Sequence, residues 1–389
     1  MSLFTLLRRN LLRHKLRNAL TALAVAVALF LFCFLYSVIT TLKSAVTSSS
    51  ADRVVVQSAV SLFMDLPKTY TAKLADVEGV ESVARWNWFG GVYRDPSNFF
   101  AQFAVDPEIF LAQFKECVIT PEERAAWLAD RRGCLIGRAL ARKFGWKIGD
   151  TIPLIGTIYT RPEGAAWEFT VRGIYSSSKT NLDESTLWFQ YEFLDESIVN
   201  GGVQGPKGVG VFYVKTKPGT SLAEITQRID ARFEGDEQRT LTQTEAAFQA
   251  GFITMLGSVP AFLSGIGGAV LFAILFSVVN TMMITSRERT KELGVLQALG
   301  FRRAIGARLL LFESMLLCGL GGLAGLALGA STEGTFREMF GTQIPGYTVE
   351  PLTLVIGVAI ALAVGAAGGL FPALQARGLR VADALRAEA

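Results

Sequence analysis

Four stretches of this sequence are too long and too apolar to be buried in a water-soluble domain. Ala19 to Leu42 carries no charge, Ala246 to Ser286 none, Leu309 to Ser331 only Glu313, and Leu352 to Ala376 none. About 20 apolar residues make a helix long enough to cross the hydrocarbon core of a bilayer. Each stretch meets that length, so the sequence predicts four transmembrane helices. In the second, the apolar heart is Phe262 to Thr285, and the residues upstream extend it as a stalk that Pro260 is expected to kink. A cleaved signal peptide would fit the basic residues ahead of the first run, but the run is longer than a signal core.

Charge orients these helices. Residues 1–18 contain Arg8, Arg9, Arg13, Lys15 and Arg17 and no acid, and residues 287–308 contain six basic side chains against Glu288 and Glu292. Residues 377–389 add Arg377, Arg380 and Arg386 against Asp383 and Glu388, while the whole chain is only +4, so the remainder is acidic on balance. Lys and Arg gather on the cytoplasmic side. Both termini and the short basic loop are therefore expected inside, and the segments 43–245 and 332–350 outside. Leu3, Leu7 and Leu11, set among arginines, suit a helix lying on the inner leaflet or an ordinary basic flank.

The outside insert mixes two periodicities. Arg53–Val60, Phe99–Asp106, Trp167–Tyr175 and Gly208–Thr216 are rich in β-branched and aromatic residues and read as strands. Ser221–Phe233 and Thr120–Arg131 read as helices, each with a Ser or Thr followed three residues later by Glu, the spacing of a capping box. Gly137–Asp150 reads as a helix ending at Gly145. The expected fold is a membrane protein, mainly α in the membrane, with a large α+β domain inserted between helices 1 and 2. Cys117 and Cys134 lie in this domain, where an oxidising compartment permits a disulfide that spacing alone does not decide. The only histidine is His14, so a His-based dyad, triad or metal site is not expected outside. Scattered carboxylates such as Asp106, Glu108, Asp183 and Glu184 read as solvated surface. Cys33 and Cys318 read as apolar fillers.

Two features of the membrane part remain. Gly321, Gly325 and Gly329 recur every four residues in the third run, a spacing that lets helix backbones approach closely in lipid, within one chain or between two. Gly365 to Gly369 (GAAGG) repeats the theme in the fourth. Glu313 is the one acid inside a membrane run. A charge there is costly and marks either a functional group or an interfacial pair with a nearby arginine, Arg308 being one or two turns away. A proton relay would need more than one such group.

The loop between the second and third runs reads RERTKELGVLQALG, Arg287 to Gly300. Leu293, Val295, Leu296 and Leu299 give it an apolar side that must be covered by lipid or by another protein, and Gly300 suits a helix end. Together with the following FRRAIGARLLLFES, this segment resembles the loop and third-helix start of the MacB/FtsX-like (type VII) permeases of ABC transporters. Arg287, Arg289, Glu292, Leu293, Gly294, Val295, Leu296, Ala298, Leu299, Gly300, Arg302, Arg303, Glu313 and Ser314 carry the likeness. GRALARKFGWKIGDTIPL, WEFTVRGIY and the ending PALQARGLRVADALRAE extend it.

That resemblance implies a division of the chain. Residues 1–18 would be a cytoplasmic basic segment, 19–42 helix 1, 43–245 a periplasmic core domain, and 246–286 stalk and helix 2. The coupling helix loop would be 287–304, helix 3 305–331, a short periplasmic loop 332–350, helix 4 351–376, and 377–389 a cytoplasmic tail. Arg287, Arg289, Glu292, Leu293, Gly294, Leu296, Leu299 and Gly300 would form the coupling helix that docks on an ATPase. No G-x-x-x-x-G-K-[ST] phosphate loop occurs, so this chain is expected to be a subunit without its own ATPase site, holding no cofactor. ATP and Mg would sit in a separate ABC ATPase, present in two copies. A second permease copy or a sister permease, a periplasmic adaptor and membrane lipids complete the partners implied, and nucleic acid is not among them. The implied location is the bacterial inner membrane. Relatives handle macrolides, peptides, haem, lipoproteins and lipids, and no motif here selects one. An FtsX-like transmitter controlling a cell-wall hydrolase is the alternative function. A passive receptor or adhesion protein would have no use for such a loop.

Overall fold

The structure, a computed structural model of the chain, describes residues 15–47, 49–178, 183–255, 259–289, 303–340 and 347–378. It forms two compact units. The first takes residues 1–40, 258–335 and 347–389, and the second takes 41–257 and 336–346.

Four helices among the described residues are long and apolar enough to cross a membrane. They are α1 (Lys15–Thr47), α9 (Val259–Glu288), α10 (Arg303–Ser331) and α12 (Pro351–Gly378), with the short α11 (Glu333–Phe340) between the last two in sequence. Pro260 falls in the first turn of α9, a position that needs no backbone N–H, so it opens that helix and does not kink its interior. The core of this unit is aliphatic and small-residued: Val25, Leu29, Cys33, Ile274, Val278, Met282, Leu317, Cys318 and Ala361.

Glycine sets how closely these helices approach. A Cβ at Gly325 would lie 2.1 Å from the Ala26 carbonyl oxygen, and one at Gly321 2.5 Å from that of Ala22. At Gly329 it would lie 2.8 Å from the Cys33 sulfur. This stripe of α10 is therefore closed against α1 of the same chain. On α12, Gly365 and Gly369 admit α10, where added Cβ atoms would come 2.8 Å from Met315 Cα and 2.9 Å from Ser314 Cβ. Lipid offers no hydrophobic drive between helices, so such close packing is the main attraction available.

The second unit is built on one mixed sheet, in the order β11-β1-β10-β2-β4-β9-β6-β8-β7-β3 with β5 beside β8. Its strands are β1 (Arg53–Ser58), β2 (Val80–Trp88), β3 (Gly91–Val92), β4 (Ala101–Val105), β5 (Cys117–Val118), β6 (Gly133–Gly137), β7 (Thr151–Gly156), β8 (Trp167–Ser177), β9 (Thr186–Gln190), β10 (Val211–Thr216) and β11 (Thr240–Thr244). The β4–β9 and β6–β8 pairs are parallel and the others antiparallel. Helices cover both faces. On one lie α2 (Tyr70–Ala75), α5 (Arg138–Phe144), α6 (Tyr191–Asn200) and α7 (Leu222–Arg232), packed by Tyr70, Leu140, Phe193 and Ile225. On the other lie α3 (Pro107–Gln113), α4 (Pro121–Ala129) and the first turn of α8 (Glu245–Met255), through Phe110, Trp127 and Phe248. Successive residues of β1 alternate between the faces, and because both are covered, Val54, Val55 and Val56 are all fully buried.

The capping box at Thr120 and Glu123 forms in both directions, and Gly145 ends α5 at φ 72°. The box expected at Ser221 and Glu224 does not. The Ser221 side chain makes no capping bond, and Glu224 lies 3.6 Å from Arg228 one turn on. The disulfide considered between Cys117 and Cys134 is also corrected: both thiols are free. Cys134 belongs to the core on one face of the sheet and Cys117 to the core on the other. Burial pushes the Cys117 thiol up to about 12, and the Cys134 thiol well above its ordinary value.

Candidate coupling site

The basic loop leaves the membrane unit from the end of α9, and its root is well defined. Consecutive helical residues point about 100° apart. Glu288 and Arg289 therefore reach different neighbours. Glu288 accepts from Arg17 of α1, whose Nη1 lies 2.9 and 2.8 Å from the two carboxylate oxygens. Arg289 turns inward and grips Glu313 of α10 in a two-point pair, at 2.5 and 3.0 Å. The first pair is open to solvent. The second is closed off: the Arg289 side chain is 8% exposed and that of Glu313 1%.

This buried pair sits in a polar layer at one end of the bundle. Asn18, Thr21, Thr285, Ser286 and Ser314 are buried with it. Thr21 donates to the Arg17 carbonyl and Thr285 to the Thr281 carbonyl, so both hydroxyls satisfy themselves on their own helices. Guanidinium and carboxylate match as planar forks, which fixes angle as well as distance. The result is a root tied to two helices at once, by neighbouring residues of opposite charge.

Of the residues expected at this site, Arg287 is exposed, whereas Arg289 is buried. Arg289 therefore holds the loop and presents no charge to a partner. Glu292, Leu293, Gly294, Leu296, Leu299 and Gly300 lie outside the described residues. Glu313 is paired, but with Arg289 and not with Arg308 of its own helix, which is exposed. Arg17 and Glu288 entered the sequence reading only as topogenic charge. The signal for them was there, an acid next to the loop's basic residues and a base at the start of the first run. Among the described residues no group of three or more His, Cys, Asp and Glu side chains is arranged to hold a metal ion.

Four helices long and apolar enough to cross a membrane, an α+β domain inserted after the first, and a charged loop after the second mark a multi-span membrane protein. Its family follows from comparison with known proteins. The MacB-like periplasmic core domain family matches residues 18–232, and the FtsX-like permease C-terminal family matches 264–381. This chain belongs to the MacB/FtsX-like ABC permease family. It is 29% identical over 246 residues to the macrolide export ATP-binding/permease protein MacB of Neisseria meningitidis, an overlap of 61% of this chain and 36% of that protein. The chain thus spans little more than a third of the length of the MacB relatives it matches. An ABC transporter permease of Methanocaldococcus jannaschii, MJ1507, is 24% identical over 331 residues, covering 81% of this chain and 78% of that one. The crystal structure of the periplasmic region of MacB from Actinobacillus actinomycetemcomitans aligns with 53% of this chain and 95% of its own, at 11% identity and a TM-score of 0.35.

Proposed function

We propose that this chain is one half of the membrane part of an ABC transporter, which couples ATP hydrolysis by a partner ATPase to movement of its outer domain. The loop of residues 287–304 is the element the ATPase pushes, and the outer domain acts on substrate at the outer face of the inner membrane, driving its export or extraction. Both termini and the loop face the cytoplasm in this reading. ATP and Mg²⁺ belong to the ATPase, which docks in two copies on a pair of permease chains. The observation that carries it is the root of the loop. A passive connection needs no fixed orientation, whereas a loop that receives force must pass it to the helices, and Glu288 and Arg289 tie this one to α1 and α10. An FtsX-like transmitter acting on a cell-wall hydrolase would share this drive. The match of the MacB-like periplasmic core domain across residues 18–232 supports the transporter.

The test is uncoupling. Glu292→Lys and Gly294→Trp are expected to leave the amount of chain in membranes unchanged. In nanodiscs, each should return the ATPase from its permease-dependent rate to the rate of the isolated ATPase. A permease-dependent rate unaltered in both variants would refute the coupling assignment.

A further inference from the structure

The largest buried cation of the outer unit lies where the chain enters and leaves it. Arg53 is the first residue of β1, directly after the segment that follows α1, and Glu245 is the first residue of α8, directly after β11. Both are buried, at 1% and 3% exposure. Arg53 Nε donates to Glu245 at 2.7 Å and its Nη2 donates to the other oxygen at 3.2 Å. Glu245 also accepts the backbone N–H of Ser50 at 3.1 Å, so one carboxylate holds both the incoming chain and the first strand.

The same guanidinium reaches a third segment. Its Nη1 donates to the carbonyl of Gln113, the last residue of α3, at 2.8 Å, and Nη2 donates to Glu116, between α3 and β5, at 2.6 Å. Its face lies 3.9 Å from the centroid of Phe114, which packs on Trp86 and Tyr213. The Gln113 side chain carries the connection onward, donating to the carbonyls of Ser82 on β2 and Tyr213 on β10. The Phe248 ring of α8 meets Tyr213 edge-on at 6.5 Å.

A buried arginine between two carboxylates adds little net stability over apolar packing of the same volume, because desolvation offsets the attraction. What it adds is direction. The guanidinium holds its donors in a rigid planar fork, and here they tie β1 to two other chain segments, the start of α8 and residues 113–116. We propose that Arg53 is a positioning residue that makes the root of the outer domain a rigid joint, so that displacement of α8 is delivered to the sheet and not lost at its base. The joint is a property of this unit alone. Its service to transport rests on the ABC reading above.

The experiment measures rigidity first. Spin labels at Thr254→Cys on α8 and Glu122→Cys on α4, both exposed, report the joint in the full chain in nanodiscs, the native thiols being buried. A narrow distance distribution is expected for the parent. Arg53→Met should at least double its width, Arg53→Lys should fall between, and Arg131→Met, at an exposed ion pair with Glu196, should leave it unchanged. Should Arg53→Met fail to fold, Glu245→Gln decides, with broadening expected. Parental width in Arg53→Met, or in Glu245→Gln where the first does not fold, overturns the proposal. In complex with the ATPase, vanadate trapping should leave the label distance unchanged in the parent, whose α8 and sheet move as one, and change it in Arg53→Met, which should keep the ATP hydrolysis rate within about twofold; a distance that shifts in the parent also overturns it. Absence of any co-purifying ATPase would count against the proposed function, while the width measurement would still decide the joint.

Discussion

The two units solve the same packing problem with opposite materials. The outer unit fills its cores with large rings: Trp86 touches Phe103, Phe110, Phe114, Trp188 and Tyr213, and Trp127 and Trp167 are fully buried. Among the described residues the buried cluster of the membrane unit is aliphatic, with Phe32 packed only against its edge, and backbones come together over glycine. Water rewards the burial of apolar area, so big side chains stabilise the outer domain. Lipid does not, so the bundle relies on close contact and on a few polar grips. Among the described residues each unit also buries one arginine, and that too differs. Arg289 takes a single carboxylate from a neighbouring helix, whereas Arg53 collects two carboxylates, a carbonyl and a ring.

The sharpest way to break this contrast is to remove one partner of the membrane pair. Arg289→Ala or Glu313→Ala leaves an uncompensated charge at a site closed to water, at a cost of about 3–5 kcal/mol. Most of the chain should then be lost from the monodisperse peak in detergent. The double change Arg289→Met with Glu313→Leu should recover much of it, while still releasing the loop from α10.

Next come paired substitutions that separate the two kinds of core. Trp127→Ala should cost the outer domain about 3–5 kcal/mol. The Trp127 indole N–H also donates to the Gly133 carbonyl. Gly325→Leu should cost the bundle about 1–3 kcal/mol or more by forcing α10 off α1. Thermal unfolding followed by outer-domain tryptophan signal and by detergent aggregation should show each change moving its own unit's transition first.

A smaller effect is a dependence on pH. Burial pushes the Asp183 carboxyl up to about 6, against the pull of its bond from the Ser185 N–H. The folded-state value exceeds the ordinary one, so the folded chain favours the protonated acid. That contribution is complete below about pH 4 and is lost as pH rises through about 6. Asp183→Asn should therefore raise the outer domain's melting temperature at pH 7.5, by no more than about 3 kcal/mol in stability, and leave it unchanged at pH 4. Smallest of all, Cys117 and Cys134 should ignore maleimide at pH 8 until the domain unfolds. Prompt labelling, or a disulfide found by mass spectrometry, would contradict their placement in separate cores.

The membrane helices were legible because hydrocarbon imposes a length and excludes charge, and these are properties of single segments. The Thr120 box and the Gly145 stop were legible for the same local reason. The Ser221 box failed although its spacing was equally good, since Glu224 found Arg228 instead. Sheet order and the sides taken by the two thiols are properties of distant pairings. Arg53 and Glu245 are 192 residues apart. Their only trace in the sequence was a charge heading a run of three valines and another heading an uncharged stretch. Arg289 stood in a recognised motif, yet its neighbours did not reveal that it faces inward.

The most direct test of the central claim is to isolate the tagged chain from native membranes in mild detergent and identify what accompanies it. The account predicts a co-purifying protein with a phosphate-binding loop and vanadate-sensitive ATP hydrolysis, in equal numbers with the permease chains. A chain recovered alone, with the 287–304 loop open to protease, would contradict it.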